Sequence, residues 1–402
     1  MLSQISAASA ALFNRPEKPS HLTIEQMEND LLFGCEMTVS SEELLASYPS
    51  TSGLPLTAES SLAREKIKQI KAQIRADYRS RGEAAPLFSE SRLNDWNRTR
   101  HTITYRDHFS LTFFADPGVI ELNCSPVSVT QFERNSEIIQ RDFFDQAQTV
   151  GLTPALFTGS GHIHIDTKKV HPVTFRNFLV DLYNTTGLAA GALNEDVYNA
   201  LGPGELPTAN KELIQKAFQK FDSEKNSDVN RLYQLLQPAY SISHSNDLPE
   251  YQKARKWSRP AKYFAYSFAS YTDIGTLELR AIRPQASANS FLKLIRLLKA
   301  RMQLAEKKRL RGENVVIGDL PSLRGEPQKV LAQFDQYVTE AGLTFEDYKE
   351  FILPWWQLPG GEWDIYWARR GQSAQKSQPA QAVLSERAEV ASTSNECNDL
   401  LK

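Results

Sequence analysis

Apolar positions along this chain follow two rhythms, and the change from one to the other marks out its elements. Leu31 to Val39 (Leu-Leu-Phe-Gly-Cys-Glu-Met-Thr-Val) is an apolar run of strand length, which predicts a buried strand. Residues 41–57, with Ser, Pro and Gly, read as loop. From Ser61 to Gly82 the rhythm becomes helical, with Leu62, Ile67, Ile70, Ile74 and Tyr78 on one face. His101 to Ala115 returns to alternation, clearest in Phe109-Ser-Leu-Thr-Phe. The turn Asp116-Pro117-Gly118 and a run from Val119 to Cys124 then predict an antiparallel hairpin. Gly161 to Asp166 is a further short strand. Thr174 is placed to cap a helix that runs through Tyr183 and stops near Gly187.

Residues 203–236 read as mostly polar helix. Tyr263–Ser270 and Thr276–Ile282, joined by a turn at Thr272 to Gly275, form a second predicted hairpin. Pro284 closes it, and Ser287 or Ser290 starts a long helix to about Arg311. Two more helical stretches follow at roughly 326–341 and 345–353, the second opened by a capping box from Thr344 to Asp347. Antiparallel pairs of strands with helices gathered elsewhere predict an α+β fold, not a doubly wound sheet. The division read from the chain is a loose arm over 1–25, a folded domain over 26–371 with a helical segment at about 287–353, and a tail over 372–402. That tail has no aromatic residue and reads as disordered.

Composition narrows the class. Of 402 residues, 41% are hydrophobic and 10% aromatic, ample for a core, which excludes global disorder and fibrous architectures. Lys+Arg 46 against Asp+Glu 48 leaves a charge of -2, so no overall field calls for nucleic acid. Cys35, Cys124 and Cys397 make no CxxC pair and suit a reducing compartment. No apolar run reaches the ~18 residues of a membrane span. The first fifteen residues carry only Arg15 and no apolar core of a signal. The expectation is a cytoplasmic protein.

Four strand segments place acids, imidazoles or guanidinium groups among apolar residues. Gly34-Cys35-Glu36 puts a carboxylate inside a buried run, which is costly without a cation or partner. In Val119-Ile-Glu121-Leu-Asn123-Cys-Ser-Pro126 the two polar side chains, two residues apart, share a face. Gly159-Ser-Gly161-His162-Ile-His164-Ile-Asp166 lines three groups with ligand chemistry along one face. Gly275-Thr-Leu-Glu278-Leu-Arg280-Ala-Ile-Arg283 sets an acid beside a guanidinium able to fork onto carboxylate or phosphate. Upstream, Arg259 and Lys262 add cations next to Tyr263. Each segment alone also fits an ordinary polar strand face, and the His162–His164 segment is the strongest local signal of the four. Together they are the parts of a metal–nucleotide site: carboxylates and imidazole for Mg or Mn, and Lys or Arg for a transferring phosphate.

The order Gly-x-Glu, Ile-Glu-Leu-x-x-Ser-Pro, Gly-Ser-Gly-His-Ile-His and Thr-Leu-Glu-Leu-Arg resembles the amidoligase family. These are carboxylate–amine ligases sharing the glutamine synthetase catalytic fold, and the resemblance runs from about Phe33 to Arg283. It implies a curved, largely antiparallel sheet with helices on its outer face. It also implies an ATP-dependent reaction that phosphorylates a carboxylate, a glutamyl group or a similar one, and captures the acyl phosphate with an amine. Carried over, Glu36, Glu121, His162 and Glu278 become metal ligands and His164 meets nucleotide phosphate. Arg280 holds the substrate carboxylate or phosphoryl group, and Glu121, Glu278 and Arg280 make up the catalytic set. Arg259, Lys262 and Arg283 are candidates for further nucleotide contacts. Thr38 stands where many relatives carry a second acid, which leaves one metal position short of a ligand.

Two rival readings use the same residues. One is a metal-dependent hydrolase built on His162 and His164. The other is a non-catalytic binding module on a ligase scaffold. Three further features read mainly as structure. The stretch Lys293 to Arg311, with eight Lys or Arg and one Glu, is a solvated helix face before it is a nucleic-acid surface. The segment holding Trp355, Trp356, Trp363 and Trp367 packs a core before it forms a lid. Cys124 is buried packing.

Overall fold

A nine-stranded antiparallel sheet organises the described residues of the computed structural model. The structure describes residues 21–46, 61–93, 98–116, 118–154, 161–185, 206, 208–224, 227–240, 266–267, 275–282, 284–320 and 327–351. Its strands are β1 (Phe33–Ser40), β2 (Leu87–Leu93), β3 (Arg98–Thr104), β4 (Ser110–Asp116), β5 (Val119–Cys124), β6 (Thr153–Pro154), β7 (Gly161–Asp166), β8 (Tyr266–Ser267) and β9 (Thr276–Ile282). They lie in the order β2-β3-β4-β5-β1-β7-β9-β8, with β6 added beside β1. Every pairing is antiparallel. The mixed helix and antiparallel-sheet class expected from the sequence is therefore the one observed.

The longer helices among the described residues are α1 (Ser61–Ser80), α2 (Val129–Ile139), α3 (Pro172–Asn184), α4 (Thr208–Ser223), α5 (Val229–Leu236), α6 (Ala288–Leu310) and α7 (Pro327–Glu340). Strand periodicity separates two faces. Phe33, Cys35, Met37 and Val39 of β1 are buried with Ile120 and Leu122, Ile163 and Ile165, and Leu277 and Leu279. Aromatic contacts carry this core outward: Phe113 of β4 meets Phe143, Phe132 of α2 stacks on Phe291 of α6, and Tyr183 of α3 stacks on Tyr266 of β8. The hairpin β4–β5 closes in two residues, Asp116 pairing with Val119, and Gly118 takes the positive φ of 75° that the tight turn demands.

Several expectations need correction. The loop reading of 41–57 overlooks a short helix, Glu42–Ala46, started by Ser41 Oγ accepting from Leu44 N and anchored by the buried Leu44. Among the longer elements, β2 and α2 have no counterpart in the sequence reading, the latter continuing through a π-helical stretch, Gln140–Asp145. The cap of α3 is His171, whose Nδ1 accepts from Val173 N, because the Thr174 hydroxyl is committed to Glu306 of α6. Thr344 makes no side-chain cap, and the expected helix there is a pair of 3-10 turns at Phe345–Asp347 and Lys349–Phe351. Ser287 does cap α6, accepting from Ser290 N. In the stretch read as a loose arm, Leu22 is buried and its N–H bonds Lys169 O. The expectations for residues 1–20, 353–370 and 372–402, and for most of the strand 263–270, lie outside the described residues.

The basic stretch of α6 is used within the fold. Arg296 pairs with Glu133, Lys299 with Glu28, Arg309 with Glu306, and the buried Arg301 with Asp181. A second buried charge sits where the π stretch meets the sheet. Asp142, fully buried, accepts from Tyr105 OH (2.7 Å), Tyr78 OH (3.1 Å) and Arg141 Nε (2.7 Å). Burial, and after it the Asp142 carboxylate, push the Tyr78 hydroxyl up to about 12, so it remains a donor at neutral pH. Asp142→Asn keeps the shape but turns one acceptor oxygen into a donor facing donors. It should lower unfolding stability by about 2 kcal/mol, read as a shift in denaturant midpoint without a change in slope.

Candidate metal and phosphate site

The face of the sheet opposite the core carries the four segments singled out above. On β1 the residues alternating with the core are Gly34, Glu36 and Thr38; on β5, Glu121 and Asn123; on β7, His162, His164 and Asp166; on β9, Thr276, Glu278 and Arg280. Register decides which of them meet. Glu36 stands opposite Asn123 on one side and His162 on the other. Gly34 stands opposite His164, which in turn stands opposite Glu278. Thr38 stands opposite Glu121. A register irregularity between Gly161 and Ile163 shifts β9 against β7 next to His162.

Glu36, His164 and Glu278 each offer one ligand atom within 4.8 Å of the others, a group that could hold a metal ion. The His164 Nε2 lies 3.4 Å from Glu36 Oε1 and 3.9 Å from Glu278 Oε1, while its Nδ1 meets Thr276 Oγ1 at 3.1 Å. Thr276 thus fixes the ring with Nε2 toward both carboxylates, the usual way a ligating imidazole is oriented. Gly34 packs against His164, and a Cβ placed on it would lie 3.4 Å from His164 Cβ. His162 Nδ1 holds Glu36 Oε2 at 2.5 Å and lies 3.5 Å from Glu278 Oε1. Arg280 Nη1 is 2.5 Å from Glu278 Oε1.

Electrostatics follow from this crowding. Burial alone pushes the Glu36 carboxyl up, but His162 and then His164 outweigh it and hold it well below the ordinary carboxylate range. For His164, burial lowers the imidazole, yet Glu36 and Glu278 outweigh that and raise it. Two carboxylates, two imidazoles and a guanidinium therefore share one half-buried patch. The donor set of two carboxylates and one imidazole suits a hard dication such as Mg or Mn. The neighbouring guanidinium suits phosphate or carboxylate.

Of the residues expected from sequence, Glu36, His162, His164, Glu278 and Arg280 come together. Glu121 of β5 stands opposite Thr38 of β1 and accepts from Asn123 Nδ2 at 3.2 Å, outside the three-ligand group. Asp166, at the far end of β7, accepts from Lys168 N and shapes the following turn. Arg259, Lys262 and Arg283 lie outside the described residues. Thr276 was missed as a site residue; its signal was its place two residues before Glu278, on the same face.

Among the described residues, no helix is long and apolar enough to cross a membrane. No family model matches the chain, and no curated protein matches it. Among solved structures it is similar to one described as "Apo GmaS without ligand", at 10% identity and a TM-score of 0.36, covering 87% of this chain and 72% of that one. It is also similar to "GmaS/ADP complex-Conformation 1", at 12% identity and a TM-score of 0.37, covering 87% and 73%.

Proposed function

We propose that this chain is an ATP-dependent carboxylate–amine ligase, making an amide or isopeptide bond through an acyl phosphate. The observation that carries the reading is the convergence of Glu36, His164 and Glu278 within 4.8 Å beside Arg280, on one face of three adjoining strands. In this reading Glu36, His164 and Glu278 hold the divalent ion, whose charge offsets that of the ATP phosphates. Glu36 is ionised and ready to ligate, whereas His164 must shed the proton that the two carboxylates favour. Arg280 leaves part of its contact with Glu278 to meet the transferring phosphoryl group or the acyl oxygen. Arg259, Lys262 and Arg283 serve the remaining phosphate charge. The acyl donor is a glutamyl or similar amino-acid carboxylate, and the acceptor is an amine.

The test is ADP release from ATP and Mn, assayed with and without amines and amino-acid carboxylates. Release that depends on both co-substrates supports the ligase. Product release without ATP points instead to the hydrolase reading, and no turnover with any pair points to a binding module.

The two imidazoles separate in this account. His164→Ala removes a ligand and should weaken Mn binding by about 10²-fold. His162→Ala removes the group that orients Glu36, and the loss should be nearer tenfold. A larger loss for His162→Ala would restore the assignment read from sequence, with His162 on the metal and His164 on phosphate. Free Mn measured by electron paramagnetic resonance decides between them.

A further inference from the structure

On the core face of the sheet, behind the metal group, β1 and β5 bring together two of the chain's three cysteines. Glu36 is paired with Asn123, and Phe33 with Val127, which leaves Gly34 and Cys35 against Cys124, Ser125 and Pro126. The extra residue on the β5 side makes a bulge, and Cys35 and Cys124 are the first residues into it from the Glu36 pair. Both side chains turn to the core, both are buried and both are free thiols. Burial, and after it the neighbouring Cys124 thiol, push the Cys35 thiol well up. Residues opposed across an antiparallel pair have Cα atoms about 4.5–5.5 Å apart, inside the roughly 4.4–6.8 Å that a disulfide spans.

We propose that Cys35 and Cys124 are a reversible redox pair, which a small peroxide closes into a cross-strand disulfide and a dithiol reopens. Cys124, 6% exposed against 1% for Cys35 and the last residue of β5, is the sulfur that peroxide reaches first. It takes one peroxide oxygen as a sulfenic acid, and the other oxygen leaves as water. The Cys35 sulfur then displaces the sulfenic oxygen, which departs with the Cys35 proton as a second water. Two thiols and one peroxide thus become one disulfide and two waters. A dithiol reverses the closure by exchange through a mixed disulfide. Closure also reaches the other face of the sheet. Opposed Cβ atoms stand about 4.5–5.5 Å apart, and a disulfide draws them to about 3.8 Å. That movement falls on the residue before Glu36 and the residue after Asn123, so it shifts the Glu36 carboxylate relative to His164 and Glu278. The effect on the site rests on the metal reading; the disulfide does not.

The test uses the full chain carrying Cys397→Ser, which removes the third thiol. The folded protein is treated with hydrogen peroxide, then with catalase, and digested without reduction. A peptide joining Cys35 to Cys124, about 2 Da lighter than its two thiol parts, should appear, and dithiothreitol should abolish it. Mn is titrated into the desalted, undigested samples, with free ion followed by electron paramagnetic resonance. Oxidation should weaken Mn binding about tenfold, and reduction should restore it. A further Cys124→Ala change should hold the Mn affinity constant through the same treatment. Sulfinic or sulfonic products alone, disulfides only between chains, or a Cys35–Cys124 disulfide only in unfolded protein would overturn the redox pair. The disulfide with Mn affinity unchanged would overturn its effect on the site. A disulfide that forms and reverses in a protein that binds no Mn would uphold the pair and remove the metal reading.

Discussion

Replacing Glu278 by glutamine should lower ADP formation by about 10²-fold or more while leaving the protein folded. Glu278 is 4% exposed, lies in the three-ligand group and touches Arg280, so the substitution removes one of two negative charges from the middle of the site. Glutamine keeps the length and one carbonyl oxygen, so the strand pairing of β9 with β7 and β8 has no reason to change. The loss should therefore appear in turnover and metal affinity, with Tm within a few degrees of the parent. Unchanged ADP formation with a substrate pair that supports turnover would remove Glu278 from the site.

The second large effect is expected far from that site. Arg301 of α6, 2% exposed, gives Nε to Asp181 Oδ2 at 2.7 Å and Nη2 to Asp181 Oδ1. Its Nη1 also bonds Tyr337 O at 2.8 Å, and its guanidinium lies 4.0 Å from the centre of the Tyr337 ring. One side chain thus ties α3, α6 and α7 together. Burial pushes the Asp181 carboxyl up even with Arg301 beside it, so desolvation of this pair is costly. Arg301→Ala leaves that carboxyl buried without its forked partner and should cost about 3–5 kcal/mol in denaturant unfolding. Lysine should rescue little, since it cannot bond both oxygens in one plane. The double change Arg301→Met with Asp181→Leu should recover much of the loss by removing both charges. A single Arg301→Ala within about 1 kcal/mol of the parent would show that the tie is idle.

How far these features could be read from the chain depends on what each one needs. The sheet face was legible because Glu121 and Asn123, His162 and His164, and Glu278 and Arg280 are each two residues apart, and two is the period of a strand. Ser287 as a cap was legible because Ser290 and an apolar stripe follow it. β2 escaped because Leu-Phe-Ser-Glu-Ser-Arg-Leu lies at the edge of the sheet with much of its length exposed, so no buried face imposes alternation. The helix from Val129 was there to be read: Ser128 and Gln131 make a capping box, Phe132 and Ile139 stand two turns apart, and only the continuation through Gln140–Asp145 leaves the regular helix as a π stretch. Thr174 misled as a cap because its partner, Glu306, lies 132 positions away. The same limit applies to the site. That His162 faces Glu36 while His164 faces Glu278 is a matter of cross-strand register and of the irregularity beside Gly161. Neither is written in any one segment.

A direct test of the central claim is a titration of Mn into the intact protein, with free ion followed by electron paramagnetic resonance. The account expects saturable binding that weakens about 10²-fold in Glu36→Gln, Glu278→Gln and His164→Ala alike, because each supplies one atom of the same cluster. Failure of the parent protein to bind Mn, or equal affinity in the parent and all three variants, would contradict it.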